Sequence, residues 1–503
     1  MPDRYDRRDA LKLLGSGALG ISLAPLLNGC ASAAPQRPAR QRPNIVFILT
    51  DDQTQGAMSA YGNRILKTPN MDRIGDEGIR FEQAFVTSSL CVPSRASYLT
   101  GQYPHRHGLL TQGKESGFNA QSPLRNSDTW PLLLRQAGYR AAVVGKWHIE
   151  TPPRGYDYAA VLPGHGEYFD PAMIVNGRMT QQHGHCDDVI GDLALQFLRA
   201  QSNAQPFCLL CQFKAPHRDW EPAPRFAGAF EDVDIPIPAT FEQAPATEAV
   251  RKSDMRIADM PDFRKRGVPA TLPPDERTRA NHQALVKHYY RVLLGVDENV
   301  GRLLAYLDDS GLAENTIVVY ASDNGFFLGE HGLFDKRLMY EPSIRVPMLL
   351  RWPAAIEPGR VDDRHMVLNI DVAPTLLALA GAPVPETMQG TGWRPLLEET
   401  DPPWREDFLY EFFEFPAVHC VRKHRGVRNA RWKLIHFWQL PQEWELYDLD
   451  NDPEEQRNLA ADPAHAAQLR TMQARLAELR SEFGDVDPPG YVPTAPQMGR
   501  CPA

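Results

Sequence analysis

Two acidic pairs, each at the end of an apolar run, are the residues of this chain best suited to hold a cation. Asp51-Asp52 directly follow Asn44-Ile45-Val46-Phe47-Ile48-Leu49-Thr50, and Asp323-Asn324 lie just past the run 316–320. Both pairs offer only oxygen. Hard oxygen donors select Ca²⁺ or Mg²⁺ over zinc, and Ca²⁺ better tolerates irregular geometry and crowded carboxylates. Without a cation, three gathered carboxylates would repel and raise one another's pKa values. Lys146 and His148 follow a second apolar run at 139–144, and His217 follows a third at 207–213. Together these side chains supply a Lewis-acid site, a fixed positive charge and two groups able to move protons.

Strands carry these residues. Short, β-branched apolar runs without alternation read as buried parallel strands. Open α/β sheets bind ligands outside the carboxyl ends of such strands. Asp and Asn also end strands as ordinary turn residues, but turn chemistry does not account for four strand ends that each deliver an acid, a base or a metal ligand. Helical signals lie between the runs. One covers 129–136, with Thr129 as N-cap and Gly138 as stop; another covers 282–309, where Leu285, Tyr289, Val292, Val296 and Leu303 keep helical spacing; a third runs from Asp371 to Leu379. The alternation predicts an α/β fold, a large mixed, mostly parallel sheet sandwiched by helices. Composition changes near Asp401-Pro402-Pro403, and 431–437 and 445–449 then read as strands of a smaller antiparallel α+β subdomain, followed by a helix over 463–483. The expected organisation is an export signal and tether at 1–43, a catalytic domain at 44–400 and this subdomain at 401–503. The proline-rich segment 235–279 reads as a long excursion near the site.

Cys91-Val92-Pro93-Ser94-Arg95 adds a nucleophile. Taken alone, Cys91 could be a cysteine packed at a helix start. The run C-x-P-S-R, continued by Ala96-Ser97-Tyr98-Leu99-Thr100-Gly101, resembles the signature of type I, formylglycine-dependent sulfatases of the alkaline phosphatase superfamily. So do Pro43-Asn44-Ile45-Val46 with Asp51-Asp52, Gly145-Lys146-Trp147-His148, Ser322-Asp323-Asn324-Gly325, and Gly329-Glu330-His331-Gly332 with Phe334-Asp335-Lys336. The resemblance extends from Asn44 to about Leu459, with no departure at these positions, and implies an alkaline phosphatase-like fold. It implies that a maturase converts Cys91 to formylglycine (3-oxoalanine), which acts as nucleophile and as a metal ligand beside Asp51, Asp52, Asp323 and Asn324. One hydroxyl of its hydrate attacks sulfur, and the other later loses its proton and expels sulfate. Arg95 then holds the hydrate, and Lys146 and Lys336 grip sulfate oxygens. His148 acts as the base for sulfate expulsion, and His217, with Lys336, protonates the leaving oxygen. His105 and His107 read as structural or supporting residues.

Tyr410-Glu411-Phe412-Phe413, His419, the stretch from Lys423 to Arg428 and Trp432-Lys433-Leu434-Ile435-His436 resemble bacterial glycan sulfatases of the N-acetylglucosamine-6-sulfatase type. That implies exo-removal of an O-sulfate, the 6-O-sulfate of N-acetylglucosamine favoured, from a sulfated glycan. His424 and Arg425 would reach the sugar or form a solvated basic face. A phosphonate or phosphate diester hydrolase using the same formylglycine is one alternative, and an inactive sulfoglycan-binding protein is another. Lys146, Lys336 and His148 favour sulfate, and the motifs show none of the damage that an inactive site predicts.

The 503 residues, with 43% hydrophobic and 23% charged, suit a globular protein with a sizeable core, and a net charge of -9 gives no footprint for nucleic acid. Arg7-Arg8 with Leu11-Lys12 and the apolar stretch 13–27 resemble a twin-arginine export signal, and Leu27-Asn28-Gly29-Cys30 resembles a lipobox with Cys30 as the lipidated residue. The expected location is the periplasm, or the outer membrane or cell surface as a lipoprotein. Export of folded protein places maturation of Cys91 before export. Cys208 and Cys211 form C-x-x-C, but residues i and i+3 of a strand face opposite sides, so core packing is expected rather than redox or zinc chemistry.

Overall fold

The computed structural model describes residues 42–113, 122–149, 151–202, 204–260, 266–399, 401–487, 492–495 and 501. The stretch read as an export signal, Cys30 and most of the expected tether fall outside these residues. From Arg42 onward the chain is one compact unit.

Its frame is a ten-stranded sheet. In chain order the strands are β1 (Asn44–Thr50), β2 (Ile79–Phe81), β3 (Arg140–Lys146), β4 (Tyr158–Leu162), β5 (Ala172–Val175), β6 (Arg178–Gln181), β7 (Phe207–Gln212), β8 (Thr316–Ser322), β9 (Met348–Arg351) and β10 (Arg360–Asp362). Across the sheet they lie β10-β2-β9-β8-β1-β7-β3-β4-β5-β6. The five central strands, β8 to β4, are mutually parallel, while β9, β5 and β6 pair antiparallel with their neighbours. The sheet is the mixed, mostly parallel one that the alternating pattern predicts.

Both faces are covered, so the central strands are apolar throughout. Ile45, Phe47 and Leu49 of β1 face one core and Val46 and Ile48 the other. Against the first pack α2 (Cys91–Thr100), α3 (Trp130–Gln136) and α6 (Val372–Leu379); against the second pack α1 (Pro69–Asp76), α4 (Cys186–Arg199) and α5 (Pro274–Asp309). Cys208 and Cys211 fall on opposite faces and are both free thiols, as strand alternation requires.

The long helix starts eight residues before the apolar periodicity. Its opening stretch is polar, but Pro274 occupies the first turn, with Asp275 and Glu276 beside it. Proline at the first helical position and acids against the positive helix end favour this start without any apolar stripe. The excursion at 235–279 packs beside the segment leading to Lys336: Phe334 N donates to Met255 O (2.9 Å) and His331 N to Thr240 Oγ1 (3.0 Å).

The C-terminal part is an antiparallel sheet of β11 (Asp407–Phe412), β12 (His424–Asn429), β13 (Trp432–Phe437) and β14 (Glu443–Asp448), with α7 (Ala466–Phe483) over it. A disulfide joins Cys420 to Cys501.

Candidate active site

The carboxyl ends of β1, β3, β7 and β8 meet the start of α2. Asp51 and Asp52 are consecutive, and on an extended strand they would point to opposite faces. Asp52 takes a left-handed backbone (φ 73), which Asp tolerates better than most residues. Both carboxylates thereby reach the same buried centre. Tyr289 of α5 fixes the turn, its hydroxyl donating to Asp52 O (2.6 Å) and accepting from Thr54 N (3.0 Å). Asp323 closes the centre from β8 and accepts the Asp52 amide (3.0 Å).

Cys91 is the first residue of α2 and is fully buried. Its Sγ lies 3.4 Å from Asp51 Oδ1, 3.8 Å from Asp52 Oδ1 and 3.0 Å from Lys336 Nζ. Burial pushes this thiol far above its usual pKa against the pull of Lys146 and Lys336, so an unmodified Cys91 is a poor nucleophile. Arg95, one helical turn on, donates to Asp323 Oδ2 (2.8 Å), Lys146 O (2.6 Å) and Gln212 Oε1 (2.7 Å). Gly145 makes room for that junction. It has φ 103, and a Cβ there would lie 1.8 Å from Gln212 O.

The charges are compensated by position. Lys146 ion-pairs with Asp51 and Lys336 with Asp52. Burial alone would raise the Asp51 carboxyl, but Lys146, with help from Arg95, holds it well below its usual range. At Asp52 burial prevails over Lys336, and its pKa is raised. Asp323 is pushed to about 7, by burial and then by the Asp51 charge. Burial and then Lys146 keep His148 and His217 neutral, far below the ordinary imidazole value.

The donor set fits a divalent cation. Ligand atoms of Asp51, Asp52, Asp323 and Cys91 lie within 4.8 Å of one another. Asn324 Nδ2 donates to Asp52 Oδ1 (2.7 Å), while its buried Oδ1 has no hydrogen-bond partner. Three carboxylates and an unpartnered amide oxygen are hard donors of the Ca²⁺ or Mg²⁺ kind.

The structure thus gathers Asp51, Asp52, Cys91, Arg95, Lys146, Asp323, Asn324 and Lys336 into one buried cluster. His217 borders it, with Nε2 3.9 Å from Asp52 Oδ2 and Nδ1 donating to Arg218 O (2.7 Å). His148 stands beside it with both ring nitrogens lacking a protein partner. His107 bonds Ser97 Oγ (3.2 Å), and His105 bonds Glu411 Oε1 (2.8 Å) and Phe483 O (2.9 Å); both are structural links.

His424 and Arg425 are placed differently from expectation. They lie on β12, which is flanked by β11 and β13. His424 is fully buried, its ring stacked on Tyr410 (5.6 Å) and Phe412 (5.1 Å), and its Nδ1 donates to Arg422 O (2.8 Å). The Arg425 guanidinium lies 4.1 Å over the Trp438 ring and pairs with Asp485 (3.3 Å) and Asp487 (3.6 Å). Both are buried, so neither forms a solvated basic face.

Two features of the site were not singled out from sequence. His165, past the end of β4, lies between the rings of His148 (4.2 Å between centroids) and His217 (4.6 Å). Its signal was the same as for the others: the apolar run Tyr158-Ala159-Ala160-Val161-Leu162 followed by Pro163-Gly164-His165. Asp335, next to Lys336, gathers Arg337, Arg218 (3.1 Å) and His419 (3.1 Å). Arg337 is two residues away, but Arg218 and His419 come from distant segments and share no local pattern with Asp335.

A mostly parallel sheet with acids, lysines and histidines collected at its carboxyl edge defines an enzyme of alkaline phosphatase-like architecture, equipped to hold an anion. Residues 43–382 match the family model for sulfatases, and residues 329–482 match that for the N-sulphoglucosamine sulphohydrolase C-terminal region. The chain belongs to the sulfatase family and is a sulfuric ester hydrolase. It is 37% identical to an N-acetylglucosamine-6-O-sulfatase of Bacteroides thetaiotaomicron, over 95% of this chain and 94% of that one. It is 32% identical to the human N-acetylglucosamine-6-sulfatase, over 93% and 90%. A solved structure of an enzyme in complex with its substrate D-glucosamine-2-N,6-O-disulfate superposes with a TM-score of 0.82 at 37% identity, covering 90% of this chain and 100% of that one.

Proposed function

We propose that this sulfatase removes the 6-O-sulfate from N-acetylglucosamine, or from a related glucosamine, at the end of a sulfated glycan. The observation that carries the reading is the convergence of Cys91, three carboxylates, Arg95, Lys146 and Lys336 at one strand edge. Near full-length similarity to N-acetylglucosamine-6-sulfatases supports the choice of sugar.

Formylglycine at position 91 would supply two hydroxyls on one carbon, one to attack sulfur and one to release sulfate afterwards. A divalent cation held by Asp51, Asp52, Asp323 and Asn324, calcium on the donor chemistry, would supply Lewis-acid polarisation. Lys146 and Lys336 stand ready for sulfate oxygens, because a cation on the carboxylates would release the ammonium groups that now pair with them. Against burial, the Asp52 charge raises Lys336 above its usual range, so it is a fixed positive charge facing the charge that develops during transfer. His148 offers an unprotonated ring nitrogen with no competing partner, suited to take a proton from a hydroxyl at position 91. His217 donates from Nδ1 to a carbonyl, so to protonate the leaving sugar oxygen it must act as the imidazolium and give the proton from Nε2, a form that the negative charge of a bound sulfate ester beside it would favour over the neutral ring.

The same reading extends to the cell. A twin-arginine signal at Arg7-Arg8 would export the folded enzyme to the periplasm, lipid at Cys30 would anchor it, and a maturase would act on Cys91 first. Mass analysis of the N-terminal and Cys91 peptides from cell fractions tests each step.

The decisive assay is turnover of a panel of sulfated monosaccharides, alongside the mass of the Cys91 peptide. Sulfate release from N-acetylglucosamine-6-sulfate ahead of galactose and N-acetylgalactosamine 6-sulfates is expected. Matured enzyme that ignores the glucosamine sulfates would refute the choice of sugar. Full activity with an intact Cys91 thiol would refute the nucleophile.

A further inference from the structure

We infer that His165 is a positioning residue for the leaving-group acid, holding the His217 ring in register with the reacting ester. The inference rests on the role given above to His217. Neighbouring strands β7, β3 and β4 send out His217, His148 and His165, and the three imidazoles stand side by side. The His165 ring is nearly parallel to that of His217, with an interplanar angle of 26° and centroids 4.6 Å apart, and it meets the His148 ring at 4.2 Å with the planes tilted by 56°.

The loop that carries His165 grips His217 a second time. Tyr168 donates its hydroxyl to His217 O (2.6 Å). Lys214 ties the ends of this grip together: its ammonium donates to His165 O (3.1 Å) and lies 4.7 Å over the Tyr168 ring. Lys214 is itself anchored, since Asp187 Oδ1 accepts from the amides of Lys214 (3.0 Å) and Ala215 (3.3 Å). The loop at 163–168 thus fixes the acid at both ring and backbone. His165 Nδ1 is buried with no hydrogen-bond partner, so its ring is held by packing against the other two rather than by a bond of its own.

A residue that orients an acid matters only when the leaving group needs a proton. A sugar alkoxide does, and nitrophenolate does not. In matured enzyme loaded with calcium, His165→Ala should lower kcat for the sugar sulfate, or for any alkyl sulfate the enzyme turns over, by about tenfold or more, and for 4-nitrophenyl sulfate by less than about threefold. His165→Phe, which restores a flat ring between the neighbours, should recover most of the alkyl sulfate rate. Tyr168→Phe should show the same leaving-group bias in weaker form. Equal losses on both esters in His165→Ala would overturn the inference, as would a Phe variant no better than Ala. If Ala reduces the melting temperature too far for assay, Tyr168→Phe decides it, a loss confined to the alkyl sulfate supporting the inference and equal rates or equal losses on both esters overturning it. Wild-type enzyme that hydrolyses alkyl sulfates but not N-acetylglucosamine-6-sulfate would refute the sugar assignment alone, leaving this comparison intact.

Discussion

Replacing Arg95 by methionine should expose how the site balances its charges. The guanidinium makes three buried hydrogen bonds, to Asp323 Oδ2 (2.8 Å), Lys146 O (2.6 Å) and Gln212 Oε1 (2.7 Å), and lies 3.8 Å from Asp51 Oδ1. Methionine keeps most of the length and removes the charge and all three donors. Truncating one partner of a buried ion pair costs about 3–5 kcal/mol, because the remaining charge is left uncompensated. Two acceptors that lose a donor add to this, though not additively. In chelator, Arg95→Met should therefore be about 3–5 kcal/mol less stable than wild type in urea unfolding monitored by tryptophan fluorescence. With millimolar Ca²⁺ the cation takes over the compensation of Asp323, because a ligand that binds only the folded state stabilises it, and the gap should shrink by about half or more. A gap below about 1 kcal/mol in chelator would refute the ion-pair argument. An equal gap with and without Ca²⁺ would refute the cation's share in it.

The same geometry sets two further outcomes. Burial, then repulsion by Asp51, raises Asp323 to about 7, and burial raises Asp52 as well; the folded protein thus binds protons that the unfolded chain has already lost above about pH 4. The contribution of these two carboxyls to stability in chelator should fall as pH rises from about 4 to 7, read as the difference from the same curve in Ca²⁺, because the buried neutral His148 and His217 slope the other way below about pH 6.5 in both; Asp51, depressed in the fold, loses its contribution only below that window. Ca²⁺ should flatten the slope, and a slope indifferent to Ca²⁺ in melting experiments would contradict the assignment of the cluster. The Cys420–Cys501 bridge spans 81 residues, so Cys501→Ser should cost about 2–4 kcal/mol relative to the oxidised wild type, measured as a shift of the unfolding midpoint that a reductant reproduces in wild type and leaves unchanged in the variant.

Much of the site was legible because its residues sit at fixed offsets from strands with a strong local signature. The buried apolar runs at 44–50 and 316–322 could hardly be anything but central strands, and the residues just past their carboxyl ends must emerge at one edge. The start of α5 at Pro274 was missed because its first two turns are polar and carry no periodicity. His424 and Arg425 looked like a basic surface stretch, but strands on either side and aromatic neighbours enclose them. The pairing of Cys420 with Cys501 could not be read from spacing, because connectivity depends on which distant segments the fold brings together.

Residue types and their order along the chain set out the chemistry on offer: a cysteine in a modification signature, hard oxygen donors, two lysines and two histidines, in the order of parallel strands. Those assignments are local, since each depends on a residue's type and its distance from a strand end. The tertiary structure alone decided the rest. The left-handed turn at Asp52 put two consecutive carboxylates at one centre. The reach of Arg95 across three strand ends fixed how their charge is balanced. The loop at 163–168 laid His165 between two rings that the chain separates by dozens of residues. Such contacts depend on packing between segments remote in sequence, where no periodicity or spacing carries the information.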